Sequence, residues 1–289
     1  MIYIEEIAVV KKYGYLVLII LFAWVWSPVN ASNNKSGTYS IYVVPQFPPE
    51  EIHKSWTPIL QLLSQATGFE FELNIPATIP DFESVLADGD ADFAYMNPYH
   101  VLLANQKKGY LPLVRDSQNL LDGILVVRKD SPMNAIADLN GETIAFPAPN
   151  AFGATLLIRT LLDKEHIAIT PNFVKSHSNV YRSVVLGDTV AGGGLSNTLN
   201  RESAELKEQL RVLYTTPKFA PHPIAANPRL SKAVREKFTQ SFLALAADPQ
   251  NQALFAAILM PKPIKANFAK DYQVLKKLEL EKFVQQGGN

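Results

Sequence analysis

The chain has no cysteine among its 289 residues, so it holds no disulfide, no thiol nucleophile, no cysteine zinc site and no acceptor for a lipoprotein anchor. Net charge is absent too. The 27 basic and 27 acidic side chains cancel, and no basic stripe with interleaved aromatics occurs, which argues against nucleic acid or another polyanion as partner. No G-x-S-x-G elbow, H-E-x-x-H pair, P-loop or G-x-G-x-x-G is present, so the familiar nucleophile, zinc and nucleotide signatures are missing. The five histidines, His53, His100, His166, His177 and His222, are scattered without ligand spacing. Neither a metal nor a cofactor is expected. No fixed-period repeat and no low-complexity segment appears, which sets solenoids and propellers aside. What is present is 47% hydrophobic content, ample for the core of one or two ordinary domains.

The first residues carry an export pattern. Lys11 and Lys12 precede the apolar run "YGYLVLIILFAWVW", and "SPVNAS" then offers Val29 and Ala31 as small residues at the −3 and −1 positions of a cleavage site. Residues 1–31 read as a cleaved secretory signal peptide, with a mature chain beginning near Ser32 in the periplasm. An uncleaved anchor is the alternative, given the acidic pair Glu5–Glu6 in a long leader.

Beyond the leader, the pattern alternates. "TYSIYVVPQ" predicts a strand over Thr38–Gln46, and Ile52, Trp56, Leu60 and Leu63 then recur at helical spacing before Gly68. "FEFELNIP" is a second strand, "DFESVLADG" a short helix with Asp81 as candidate cap, and "DADFAYM" a third strand. Asn97 and Pro98 open a helix that stops at Gly109. Strands are expected near 110–115, 122–128, 142–147, 172–176, 188–193 and 210–215, with helices near 134–139, 151–165, 178–186 and 196–208. Such alternation predicts parallel βαβ units and an α/β fold of two lobes. Ser231–Ala247, Gln250–Leu259 and Lys270–Gln285 predict a helical C-terminus. The proline-containing segments Asp130–Asn134 and Thr215–Pro223 are candidate crossings between the lobes.

Helix N-termini beyond the carboxyl ends of parallel strands present unpaired N–H groups and partial positive charge, a setting for small anions. Four strand-to-helix corners fit: Ala94–Val101, Phe146–Leu157, Lys175–Ser183 and Gly192–Asn200. They supply Tyr95, Asn97 and Tyr99; Asn150, Phe152, Gly153, Ala154 and Thr155; His177, Ser178 and Arg182; and Asn197 as candidate ligand-binding residues. Each has a plainer reading as well. Asn97 and Asn150 are ordinary caps, the aromatics are ordinary packing, and Gly192–Gly194 lets a strand approach either a ligand or neighbouring backbone. His177 and Ser178 are adjacent and so cannot face each other as base and nucleophile, which argues against catalysis.

The successive phrases "DGDADFAYMNPYHVLLA", "GILVVRKDSPMNAIADLNGETIAFPAPNAFGATLLIRTLL" and "SHSNVYRSVVLGDTVAGGG" resemble the phosphate/phosphite/phosphonate substrate-binding proteins of ABC transporters. The resemblance implies a type II periplasmic binding fold: two α/β lobes joined by a two-crossing hinge, one formed by 38–122 and 220–289 and the other by 123–219. It implies a monomer that captures a small oxyanion without catalysis and hands it to a membrane permease. By the same resemblance Tyr95 lines the first lobe, Asn150–Thr155 starts the helix that receives the oxyanion, and His177 is the binding histidine. The chain departs from the family pattern at two places. Ala151 and Phe152 stand in "PNAFGAT" where a Ser/Thr cluster is usual, and Val190 stands where an acidic residue is usual. The ligand is then a phosphorus oxyanion, another oxyanion or a small polar molecule. A sensing role beside a membrane kinase and an exported hydrolase built on His177 are the alternative readings.

Overall fold

The computed structural model describes residues 37–285, so the expected signal peptide 1–31 and the mature start near Ser32 lie outside the described residues. The chain opens with strand β1 (Thr38–Val43), helix α1 (Pro49–Thr67) and strand β2 (Glu70–Asn74). In α1 the buried Ile52, Trp56, Ile59, Leu60 and Leu63 form one stripe at helical spacing, and Gly68 ends the helix in the left-handed region at φ 68°. Helix α2 (Ile79–Asp88) is capped by Thr78, whose hydroxyl accepts the Asp81 N–H at 3.2 Å. Asp81, the expected cap, lies inside the first turn instead. Strand β3 (Phe93–Tyr95) leads into helix α3 (Pro98–Lys108), capped by Asn97, which accepts the His100 N–H at 2.8 Å; strand β4 (Leu111–Asp116) follows.

The first sheet has six strands in the order β11-β4-β10-β3-β1-β2. β1 is parallel to β2 and β3, as expected, but two strands absent from the sequence reading, β10 (Pro223–Ala226) and β11 (Pro263–Lys265), join it antiparallel. The second sheet has five strands: β5 (Gly123–Arg128), β6 (Thr143–Phe146), β7 (Thr170–Phe173), β8 (Ala191–Leu195) and β9 (Leu210–Thr215), in the order β7-β6-β8-β5-β9. Here β6 is parallel to β7 and β8, while β5 runs antiparallel to β8 and β9, so both sheets are mixed rather than purely parallel. A π-helical run over Phe152–Leu157 continues directly into α4 (Ile158–Lys164); α5 (His177–Leu186) follows β7. The expected helix 196–208 is broken at Glu202, which is extended, giving α6 (Ser196–Arg201) and α7 (Ala204–Glu208) with Ser203 capping the latter.

The chain passes from the first sheet to the second through 117–122 and returns through 216–222. The two crossings pair with each other: Leu121 N–H donates to the Phe219 carbonyl at 2.9 Å and Phe219 N–H to the Leu121 carbonyl at 2.8 Å. The buried Asp116 carboxylate anchors the first crossing by accepting the N–H groups of Gln118 at 3.0 Å and Lys262 at 2.7 Å. Asp130–Asn134 is not a crossing, because it follows β5, already a strand of the second sheet.

Helices α8 (Lys232–Ala247) and α9 (Gln252–Ala257) pack on the first sheet. The expected last helix is instead a π turn (Phe268–Tyr272) and two 3-10 turns (Gln273–Leu278, Leu280–Phe283), separated by Glu279 at φ 57°. The cores differ. Phe93 stacks on Phe238 with centroids 4.3 Å apart, and the series runs on through Phe242 and Phe255, whereas the second sheet buries mainly aliphatic side chains such as Leu125, Val127, Ile144 and Ile158. Among the described residues, no helix is long and apolar enough to cross a membrane.

Candidate functional site

The chain just beyond the carboxyl ends of β1 and β3 meets the start of the π-helical run and the end of β8 around a cavity of about 20 Å³, room for roughly one water. The first-sheet side supplies Val44, Gln46, Ile79 and Asn97, with His222 from the return crossing. The second side supplies Ala151 to Ala154, His177 and Leu195. None of these side chains carries a formal charge at neutral pH.

The second wall is built from backbone. Phe152, Gly153 and Ala154 open a helical run, where no preceding turn offers acceptors for their N–H groups. Thr155 and Leu156 both donate to the Ala151 carbonyl, at 2.8 and 3.2 Å, which widens this first turn. Glycine fixes where the run lies. A Cβ on Gly193 would stand 2.2 Å from the Ala154 carbonyl oxygen, and one on Gly123 would stand 2.2 Å from that of Gly153. The helix backbone therefore rests directly on β8 and β5, so the triple glycine serves close backbone packing. Beneath Gly194, the Tyr181 hydroxyl lies 2.6 Å from Thr198 Oγ1 and 3.1 Å from the Leu195 carbonyl, holding the β8–α6 corner in place.

His177 is the first residue of α5, a helix capped by Ser176, whose hydroxyl accepts the Asn179 N–H at 3.2 Å. Its ring is buried and its Nδ1 has no hydrogen-bond partner among the described residues. Burial lowers its pKa to about 4, so it is a neutral imidazole at physiological pH. His222 is lowered further, to about 3, by burial first and then by His100 and His177. Tyr95 stacks on His222 at 5.4 Å and packs on Trp56 at 5.1 Å; burial raises its hydroxyl pKa, with Gln46 acting in the opposite direction. Gln46 Oε1 is buried without a partner.

Of the twelve residues singled out in sequence, the structure brings Asn97, Phe152, Gly153, Ala154 and His177 to the cavity wall. Tyr95 stands behind His222. Thr155 turns its hydroxyl to the Ala148 carbonyl at 2.7 Å and closes its own loop. Tyr99 is buried beside His100, its pKa raised to about 12 by burial and then by Glu83 and Glu281. Asn150 is not a cap, since Ala151 holds that position; its amide donates to Glu83 Oε2 at 2.9 Å and to the Gln285 carbonyl at 2.8 Å. Asn197 buries an unpaired Oδ1 but does not line the cavity. Ser178 and Arg182 point elsewhere. Ser178 donates to Glu202 at 2.5 Å, and Arg182 is exposed in an outer groove with Glu205, because five residues of helix turn it about 140° from His177.

Gln46 and His222 were missed. Gln46 follows the first strand by three residues, a place the strand-end rule marks for ligands, while His222 sits in "APHPI", a segment whose prolines read only as linker. Among the described residues, no group of three or more His, Asp or Glu is placed to hold a metal.

A family model described as ABC transporter, phosphonate, periplasmic substrate-binding protein matches residues 41–272. No curated protein matches the chain in sequence. Among solved structures, a binding-protein component of an ABC phosphonate transporter from Pseudomonas aeruginosa is similar at 16% identity and TM-score 0.74, covering 85% of this chain and 86% of that one. A Prochlorococcus marinus protein in complex with methylphosphonate gives 15% identity and TM-score 0.76 over 84% of this chain and 97% of that one. A Xanthomonas citri protein bound to chloride ion gives 16% and 0.74 over 86% and 99%. These likenesses show the fold, the two-lobed type II periplasmic binding arrangement, and the family match covers most of the chain. The chain belongs to the family of periplasmic substrate-binding proteins of phosphonate ABC transporters.

Proposed function

We propose that this protein captures a small phosphorus oxyanion without an amino group, such as phosphite, phosphate or methylphosphonate, between its lobes and delivers it to an ABC permease. The observation that carries this reading is the cavity wall: the opening N–H groups of a helix, Asn97 and two neutral imidazoles face one another, with no carboxylate among them. Helix N–H groups and neutral donors hold an anion without a counter-charge. An ammonium brought into the same space would be buried without a partner, which is costly. Val44, Ile79, Phe152 and Leu195 supply the apolar side, suited to a hydrogen or methyl substituent. The methylphosphonate bound by the Prochlorococcus marinus relative agrees with this size class.

A cavity of about 20 Å³ is closed too far to hold the ligand, so the lobes open at the hinge to admit it and close around it with the two walls further apart than here. We take 38–122 with 220–289 as one lobe and 123–219 as the other, because strands change sheet at these points. Residues 1–31 are taken as the export signal, which N-terminal sequencing of the periplasmic protein checks. Capture proceeds without turnover: Ser178, bonded to Glu202, is no nucleophile for His177.

The test is thermal shift of the stripped protein against phosphate, phosphite, methylphosphonate, 2-aminoethylphosphonate, sulfate and amino acids. Ligand at a hundredfold excess over Kd stabilises by about 2.7 kcal/mol, a readable rise in Tm. Stabilisation by one or more amine-free phosphorus oxyanions is expected. Stabilisation by amino acids alone would overturn the reading.

A further inference from the structure

Asn150 was expected to cap a helix and meet the ligand, yet its side chain is fully used elsewhere. Its amide nitrogen donates to Glu83 Oε2 at 2.9 Å and to the Gln285 carbonyl at 2.8 Å, and its Oδ1 accepts the Gln285 N–H at 3.0 Å. Its own carbonyl accepts from Asn97 Nδ2 at 3.3 Å. Every partner lies on the first lobe's side of the chain: Glu83 in α2, Asn97 capping α3, Gln285 in the tail. Glu83 is itself buried, and its other oxygen lies 3.0 Å from His100 Nε2.

The tail reaches this point from the first lobe. Tyr272 is buried in the first core and donates to the Pro221 carbonyl at 2.9 Å, while Asp271 pairs with Arg115 of β4 at 2.9 Å. Beyond Glu279 the chain stays on that core through the buried Leu280, with Phe283 and Val284 against it, and also docks on α4 of the second lobe. The Arg159 guanidinium lies over the Phe283 ring at 4.6 Å, and Lys282 pairs with Asp163. A segment anchored in one lobe and bound to the other can satisfy these contacts only when the lobes are together.

We propose that Glu83, Asn150 and the segment Leu280–Gln285 form a latch that favours this closed arrangement, which has no room for the oxyanion, so that ligand affinity depends on contacts the ligand does not make. The proposal rests on the reading of the chain as a hinged binding protein. Binding that requires the latch to give way is weakened by the fraction of molecules the latch holds shut. A second link between lobes, Arg201 with Glu51 at 2.7 Å, is partly exposed and is expected to contribute little beside the buried one.

The absence of cysteine makes the test direct. Nitroxides are attached to the full chain at Lys54→Cys in α1 and Glu205→Cys in α7, both exposed, and the distance distribution is measured by electron double resonance without ligand. Asn150→Ala and, further from the cavity, Phe283→Ala and Arg159→Ala are compared with the parent. The expected result is a shift to longer distances in all three, with methylphosphonate affinity severalfold tighter in each, because fewer molecules are held in the arrangement that excludes it. Unchanged distances in Phe283→Ala and Arg159→Ala, with folding intact by circular dichroism, would overturn the latch even if methylphosphonate binds. Longer distances in those variants would support it even if methylphosphonate fails to bind the parent, an outcome that counts only against the proposed ligand.

Discussion

The two walls of the cavity are made of different material. The first-sheet wall is side chains, Gln46, Asn97 and His222, carried by a sheet packed through stacked rings such as Phe93 and Phe238. The second is largely backbone, a helix start set against glycine strands with no room for a methyl group at Gly193 or Gly123. Substitution can retune the first wall one group at a time. Changing the second moves the whole helix, so donors supplied by backbone N–H are tied to the sheet beneath them and not to the residue names at the corner. Phe152 can thus stand where a hydroxyl residue is usual without removing the N–H donors.

Acid should produce the largest effect, and it separates the walls because each carries one buried histidine. The folded-state values, about 4 for His177 and about 3 for His222, lie below the ordinary 6.5, so the unfolded chain takes up protons first as pH falls. Stability is therefore fully present above the ordinary value and is lost between about pH 6.5 and 4, by roughly 3 kcal/mol for each histidine. Urea unfolding of the ligand-free protein across this range checks it. His177→Gln and His222→Gln should each remove about half of the slope.

Next comes Gly193→Val, which puts a branched side chain against the Ala154 carbonyl and the Phe146 ring. Destabilisation of about 3 kcal/mol and loss of ligand-induced thermal shift are expected, since overpacking forces backbone to move. Asn97→Ala, on the first wall, should cost about 1 kcal/mol as a lost cap and weaken ligand binding while leaving the closed fold intact. Arg128→Ala, an exposed pair with Asp130 away from the cavity, should leave Tm and binding unchanged.

Much of this architecture was legible in the sequence, for physical reasons that also mark where legibility stopped. Asn97, Pro98 and Gly109 delimit α3 because caps act within one turn of their own residue. Gly192–Gly194 signalled close approach, though not to what; the answer lay at Ala154 and Tyr181, brought near by the fold. β10 and β11 were not read because each opens on a proline, Pro223 and Pro263, that reads as linker, and their pairing partners lie far away in the chain. The π-helical opening at Phe152 likewise depends on the glycine strands beneath it. Asn150 looked like a cap because its partners, Glu83 and Gln285, are 67 and 135 residues distant. Arg182 was assigned to the cleft by proximity to His177 in sequence, and helix phase turned it away.

The central claim is that a neutral, carboxylate-free cradle holds an amine-free phosphorus oxyanion. Calorimetric titration of methylphosphonate and 2-aminoethylphosphonate into the same preparation tests it most directly. The account predicts one methylphosphonate per chain, bound at least tenfold more tightly than the amino compound, with affinity lost in His177→Ala. Equal or tighter binding of 2-aminoethylphosphonate would contradict it.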